Sequence, residues 1–193
     1  KSRQSFLLLS RKEELVDKTD SMDALMPKID FIHEYQPNWM NDPHRLNLHL
    51  ANIDNKSVID GESTNGDAGR GGRRKAIAID EAAAVQNGFE VNAATSQTTN
   101  CRIWISTPKG KGNEFYDIIT QKRCEVLTFH WTMHPDKAKG LYFDNDKNPR
   151  SPWYDEQCAK LSPKIIAQEI DIDYDASDTK FFCGPRDAEL ETQ

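Results

Sequence analysis

The segment from Gly66 to Val85 constrains this chain more than any other. It opens on a glycine and arginine loop, Gly66-Asp67-Ala68-Gly69-Arg70-Gly71-Gly72-Arg73-Arg74. An apolar run follows, Ala76-Ile77-Ala78-Ile79, and then two adjacent carboxylates, Asp80 and Glu81, ahead of an alanine-rich stretch. A short apolar run after such a loop reads as a buried strand of a parallel sheet. Its acids then stand at the strand's C-terminal end, the edge at which open α/β sheets bind ligands. Asp80 there can hold Mg²⁺ through the ion's water shell. Glu81 can orient or deprotonate an attacking water. Taken alone, the same pair also reads as a helix N-cap and a first-turn charge.

The rest of the chain supplies the context. Ser5 to Ser10 reads as a buried strand, with Arg11-Lys12-Glu13-Glu14 at its C-terminal end. Asp20-Ser21 reads as the N-cap of a helix reaching about Tyr35, with Ala24, Leu25, Ile29, Phe31 and Ile32 as its apolar stripe. Leu46, Leu48 and Leu50 alternate as in one strand, Asn52 to Lys56 form a turn, and Ser57 to Asp60 return as a second strand. Four glycines between Gly66 and Gly72 let the next loop approach a phosphate closely. Residues 82–97 read as helical, with Gly88 a weak point, and Cys101 to Ser106 as a further buried strand. A helix from Glu114 to Arg123 and a strand from Glu125 to Trp131 follow. Helices are expected from Trp153 to Leu161 and from Pro163, in a first turn, to Ile170. Strands alternating with helices predict an α/β fold built on a mostly parallel sheet. Asp171, Asp173 and Asp175 read as an exposed acidic stretch rather than a metal loop.

Composition narrows the function classes. A net charge of −6 over 193 residues argues against broad electrostatic wrapping of nucleic acid, although Arg70, Arg73, Arg74 and Lys75 form one local basic patch. No apolar run approaches the roughly 20 residues of a membrane span, so an intracellular protein is expected. Cys101, Cys124, Cys158 and Cys183 lie far apart without a C-x-x-C pair, which argues against a zinc site. Cys101 and Cys124 are expected to fill core.

Three strand ends, near residues 10, 80 and 106, then fall along one sheet edge. Asp80-Glu81 brings metal and base, Ser106-Thr107 brings hydroxyls suited to a terminal phosphate, and the arginine loop brings charge able to act across a subunit boundary. This set resembles the ATPase domain of the large terminase subunit of tailed bacteriophages. The matching segments are Leu7 to Glu13, Gly61 to Arg74, Ala76-Ile77-Ala78-Ile79-Asp80-Glu81-Ala82, Trp104-Ile105-Ser106-Thr107-Pro108-Lys109-Gly110, Gly112 to Tyr116, His130 to Pro135 and Ile166 to Glu169. Together they span about residues 5–183.

The resemblance implies a P-loop NTPase-type fold, with ATP and Mg²⁺ as cofactors. It implies that Asp80 helps hold Mg²⁺, that Glu81 is the catalytic carboxylate, and that Ser106 and Thr107 couple γ-phosphate state to motion. Arg70 becomes the candidate trans-acting finger, with Arg73 and Arg74 as alternatives. The implied parent is a motor that packages viral double-stranded DNA into procapsids and carries an endonuclease domain. Its partners would be double-stranded DNA, the portal protein, the small terminase subunit and further copies of itself in a ring. Its place would be the bacterial host cytoplasm and, transiently, the procapsid, with no membrane. A departure matters: no G-x-x-x-x-G-K-[ST] occurs anywhere in the chain, so no phosphate-cradling loop is present. The expectation is therefore a piece of the parent. Residues 1–175 would be a partial ATPase domain, inactive alone, lacking its first strand and P-loop, and 176–193 a linker toward an absent nuclease domain. The alternatives are a degenerate prophage remnant acting only as a binding module, or another P-loop motor such as a helicase.

Overall fold

The computed structural model describes residues 3–40, 43–64 and 68–178. The chain divides into two compact units, one formed by residues 1–106 and 113–118, the other by 107–112 and 119–193.

The first unit is built on a six-stranded sheet. Its strands are β1 (Ser5–Ser10), β2 (Pro43–Leu46), β3 (His49–Asn52), β4 (Val58–Ser63), β5 (Ala76–Ile79) and β6 (Arg102–Trp104), in the order β2-β3-β4-β1-β5-β6. β4, β1, β5 and β6 run parallel, whereas β2, β3 and β4 form an antiparallel meander. The expected mostly parallel α/β sheet is therefore observed.

The leucines of β1 explain its central place. Leu7 and Leu9 stand in register with Ile77 and Ile79 of β5, and all four are at most 1% exposed. Leu8 points to the opposite face, where Val16, Met26 and Leu50 form a second core. A strand apolar on both faces belongs between covering layers, as parallel strands do. Those layers come from α1 (Glu13–Val16), α2 (Leu25–Glu34), α3 (Gly88–Thr98) and the first residues of α4 (Glu114–Thr120). Gly69 marks the α3 side: at φ +78° it stands where an added Cβ would lie 2.8 Å from Thr95 and 3.7 Å from Leu9. Only glycine suits both the left-handed backbone and that approach.

An ionic clamp ties the hairpin to the helices. Arg45 reaches Asp17 at 2.7 Å and Asp30 at 3.0 Å, and the Leu48 amide donates to Asp17 at 2.7 Å. Burial alone would push the Asp17 carboxyl up, but these bonds and the Arg45 charge outweigh it and hold the group below its ordinary range.

The second unit has its own core of Trp131, Tyr154, Ile166 and Ile170, with Trp153, Cys158 and Leu161 packed against it. Trp131 stacks on Tyr154 at 4.9 Å between ring centroids. The helices are α5 (Pro152–Lys160), α6 (Pro163–Glu169) and α7 (Tyr174–Ser177), beside a two-stranded ribbon of β7 (Tyr142–Phe143) and β8 (Pro149–Arg150). Ser151 and Ser162 cap α5 and α6, each ahead of a first-turn proline, as the sequence pattern implies.

Several expectations need correction. Leu46, Leu48 and Leu50 do not share a strand: the chain turns at Asn47-Leu48, with Leu48 at φ +55°, so the pattern is read across a hairpin. Helix α2 begins at Leu25 without a side-chain cap, and Phe31 and Ile32 are exposed. Residues 82–97 split into a 3₁₀ turn at Ala82–Ala84 and helix α3, which Gly88 opens rather than weakens. Residues 125–131 pair with no strand among the described residues; Leu127 and Phe129 are 75% and 78% exposed, and Trp131 alone is buried. Cys101 and Cys124 are exposed, one ahead of an edge strand and the other in a loop after α4. Asp171 is half-buried and accepts the Tyr154 hydroxyl at 3.0 Å, while Asp173 caps α7. Cys183 and most of the expected 176–193 linker lie outside the described residues.

Candidate functional site

The site follows from the parallel register. Leu9 pairs with Ile79, so the next residues, Ser10 and Asp80, stand side by side where the β1–β5 ladder ends, with Ser10 still paired to Ser63 of β4. The Asp80 amide donates to the Leu9 carbonyl at 2.8 Å, which fixes the backbone one step beyond the strand. On the other side of β5, the Ile105 amide donates to the Ile79 carbonyl at 2.9 Å. Three strand ends thus meet at the C-terminal edge: Ser10-Arg11, Asp80-Glu81 and Ile105-Ser106. This is the convergence expected for residues 10, 80 and 106.

Beyond Ile79 the chain turns sharply. Glu81 adopts the left-handed conformation, φ 54° and ψ 34°, and leads into the 3₁₀ turn at Ala82–Ala84. Such a backbone is sparsely populated for a residue with a side chain and is held by its surroundings. Here the Ala82 amide donates to the Ile105 carbonyl, and the Ala83 amide to the Ser106 hydroxyl, both at 3.1 Å. Ser106 therefore braces the turn that carries the acid pair. Thr107 is exposed and opens the second unit.

The acids differ in their surroundings. Asp80 is half-buried, and no donor among the described residues engages its carboxylate. Glu81 is exposed and its carboxylate lies 3.3 Å from Arg11 Nε. Next to Asp80 in sequence register, Ser10 is fully buried, and its hydroxyl has no partner among the described residues.

A Mg²⁺–nucleotide suits this donor set. No cluster of three or more metal-ligating side chains occurs among the described residues, so a dedicated protein cage is not what this edge offers. Mg²⁺ with a nucleotide needs less: one or two carboxylates, waters and the phosphates themselves. Asp80 would hold the ion, and Glu81, one residue on and paired with Arg11, would stand beside it as a carboxylate able to take a water's proton. A cavity of about 400 Å³ in this unit lies elsewhere, at the hairpin, lined by Arg3, His44, His49 and Lys56 among others.

The arginines of the loop separate. Arg74 lies at the N-terminal edge, where it bonds Ser5 at 2.7 Å and pairs with Asp60, and its backbone amide donates to Thr98. His49 Nδ1 meets the same Asp60 at 2.6 Å. Burial would raise the Asp60 carboxyl, but His49 and Arg74 outweigh it and hold it low. Arg74 is thus engaged inside its own unit, whereas the other two candidate fingers are exposed. Arg70 and Arg73 are exposed, and Gly69, the residue before Arg70, donates its amide to Glu62 near the C-terminal end of β4.

Sequence pattern alone assigns no role to Ser10 or Arg11. The signal available was their place just past a buried strand, but only the β1–β5 pairing shows that they flank Asp80 and Glu81.

Comparison with solved structures identifies the fold as that of phage large terminases and their ATPase domains. The large terminase of a thermophilic bacteriophage aligns with a TM-score of 0.58 at 14% identity, over 88% of this chain and 40% of that one. The same protein in complex with ADP aligns at 0.57, with 12% identity, over 90% and 41%. A mutant ATPase domain of a Thermus phage large terminase aligns at 0.54, with 15% identity, over 90% and 78%. The chain therefore spans less than half of that phage large terminase and most of the Thermus phage ATPase domain. No family model and no curated protein matches the sequence. Among the described residues no helix is long and apolar enough to cross a membrane.

Proposed function

We propose that this chain is the greater part of the ATPase domain of a viral DNA-packaging motor, a terminase large subunit. The observation that carries the reading is the meeting of Asp80-Glu81 with the ends of β1 and β6 at one parallel-sheet edge. The fold shared with phage terminases supports it, as does the presence of ADP and ATP-γ-S in complexes of the thermophilic phage large terminase.

In this reading Asp80 would hold Mg²⁺ through water, and the ion would supply charge neutralisation at the phosphates. Glu81 accepts a proton from the attacking water and orients it. Ser106 holds the turn beneath Glu81, so a displacement of the segment after β6 is felt at the acid. Thr107 continues that segment into the second unit. Arg70 supplies positive charge to a neighbouring copy in a ring, with Arg73 as the exposed alternative. The cradle for the triphosphate is absent from these 193 residues, so the chain alone turns over little ATP. Double-stranded DNA, a portal, a small terminase subunit and the procapsid are the partners that such a motor engages.

The test is ATP hydrolysis by the full-length protein with and without double-stranded DNA. Glu81→Gln should retain ATP binding and lose at least about a hundredfold in turnover, the usual contribution of a general base. Turnover at the wild-type rate would remove Glu81 from the role. DNA unwinding by the wild type would point to a helicase instead.

A further inference from the structure

We infer that the cavity at the β2–β3 hairpin is a binding site for a small, metal-free phosphate dianion, either inorganic phosphate or the phosphate of a nucleoside monophosphate. The site lies apart from the acid-bearing edge and involves no turnover, so it stands or falls separately from the ATPase reading.

Strand register builds the cavity. His44 pairs with Ala51, and Ala51 with Val58, so these three side chains share one face of the meander. His49, two residues before Ala51, shares that face. Leu50 points the other way, into the core with Val16 and Met26. On the open face these strands wall a space of about 400 Å³. Lys56 reaches it from the turn after β3, where the Lys56 amide donates to the Asn52 carbonyl at 2.9 Å. Arg3 reaches it from the chain ahead of β1, which the Val58 amide fastens by donating to the Gln4 carbonyl at 2.8 Å.

Charge decides the ligand. Two permanent cations and two imidazoles line this space, and no carboxylate does. In a chain of net charge −6 that is a local reversal of sign. Among the described residues no ion pair engages Arg3, His44 or Lys56. His49 Nδ1 is bonded to Asp60, which leaves Nε2 as the ring nitrogen for a ligand. Guanidinium, ammonium and imidazole donors together suit the oxygens of a phosphate dianion. Without a carboxylate the lining has nothing for Mg²⁺, so a Mg²⁺-bound triphosphate, its charge already neutralised, gains little here. Ala51, Ile53 and Val58 add apolar surface against which a ribose or base can rest. Duplex DNA would ask instead for an extended basic face, which the net charge argues against.

The experiment titrates the full-length protein, in EDTA and at constant ionic strength, with inorganic phosphate, AMP and adenosine, and follows methyl resonances by NMR. Ile53 and Val58 should shift saturably with phosphate and AMP, while Leu9 and Ile79 stay still. AMP bound at least about threefold tighter than phosphate assigns the site to a nucleoside monophosphate; equal affinities assign it to inorganic phosphate. Arg3→Gln and Lys56→Asn should each weaken binding about two- to fivefold, as loss of an exposed charge contact does. Both side chains are exposed, and asparagine suits the φ +60° backbone of Lys56, so neither change threatens the fold. Adenosine bound as tightly as AMP overturns the inference, as does the lack of a saturable shift with phosphate or AMP, or an affinity unchanged in both variants. A stronger response of Ile53 and Val58 to duplex DNA without terminal phosphates also overturns it and makes the face a nucleic-acid contact.

Discussion

Replacing Ser106 by alanine isolates the bond that joins the end of β6 to the acid-bearing turn. The Ser106 hydroxyl accepts the Ala83 amide at 3.1 Å, and Ala83 is only 5% exposed. Removing the acceptor leaves a buried N–H without a partner, which costs about 1–3 kcal/mol. Ser106 itself is half-buried, so water can replace part of the loss. The lower part of the range, about 1–2 kcal/mol, is therefore expected, equal to roughly five- to thirtyfold faster exchange of the Ala83 amide. Amide hydrogen exchange read by NMR measures this directly. Ser106→Thr keeps the hydroxyl and should keep the protection. The Ala82 amide, bonded to the Ile105 carbonyl rather than to Ser106, should slow or quicken much less. Unchanged exchange at Ala83 in Ser106→Ala would refute the claim that Ser106 braces the turn.

Other outcomes follow from the same geometry. Asp17→Asn should lose about 1.5–3 kcal/mol at pH 7, the usual worth of hydrogen bonds to a charged group. Because Asp17 is held below its ordinary pKa when folded, its contribution is present above the unfolded value and fades as pH falls through the folded one. Urea unfolding curves of wild type and Asp17→Asn should therefore converge in acid. Gly69→Ala should destabilise the first unit by at least about 1 kcal/mol, since it combines φ +78° with a 2.8 Å approach to Thr95. Trp131→Ala should cost the second unit about 3–5 kcal/mol, read by thermal unfolding through circular dichroism, because it empties the centre of that core.

What was legible in the sequence was whatever local pattern encodes. Leu7-Leu8-Leu9 and Ile77-Ala78-Ile79 announce strands covered on both faces, and Pro152 and Pro163 behind serines announce helix starts. The acid pair at the end of β5 was legible for the same reason. Patterns that depend on a partner were not. Residues 125–131 look like a strand, but no pairing partner meets them among the described residues. The alternation at Leu46, Leu48 and Leu50 is equally consistent with a hairpin, because a turn of two residues preserves spacing while reversing direction. Cys101 and Cys124 look like small apolar fillers, yet a residue's burial is set by what packs over it. Among the loop arginines, composition treats Arg70, Arg73 and Arg74 alike. Only the crossing of that loop from one sheet edge to the other assigns Arg74 to Asp60 and leaves the others outward. Arg11 was invisible as a partner of Glu81 because 70 positions separate them in sequence, and the β1–β5 register alone makes them neighbours.

The central claim is that nucleotide binds at the C-terminal edge formed by β1, β5 and β6. The most direct measurement is paramagnetic broadening by Mn²⁺ with ATP-γ-S in the methyl-labelled full-length protein. The account predicts strong broadening at Leu9, Ile79 and Ile105, and little at Ile53 and Val58, which line the hairpin cavity at the opposite end of the sheet. Broadening confined to Ile53 and Val58, or absent from all five, would contradict it.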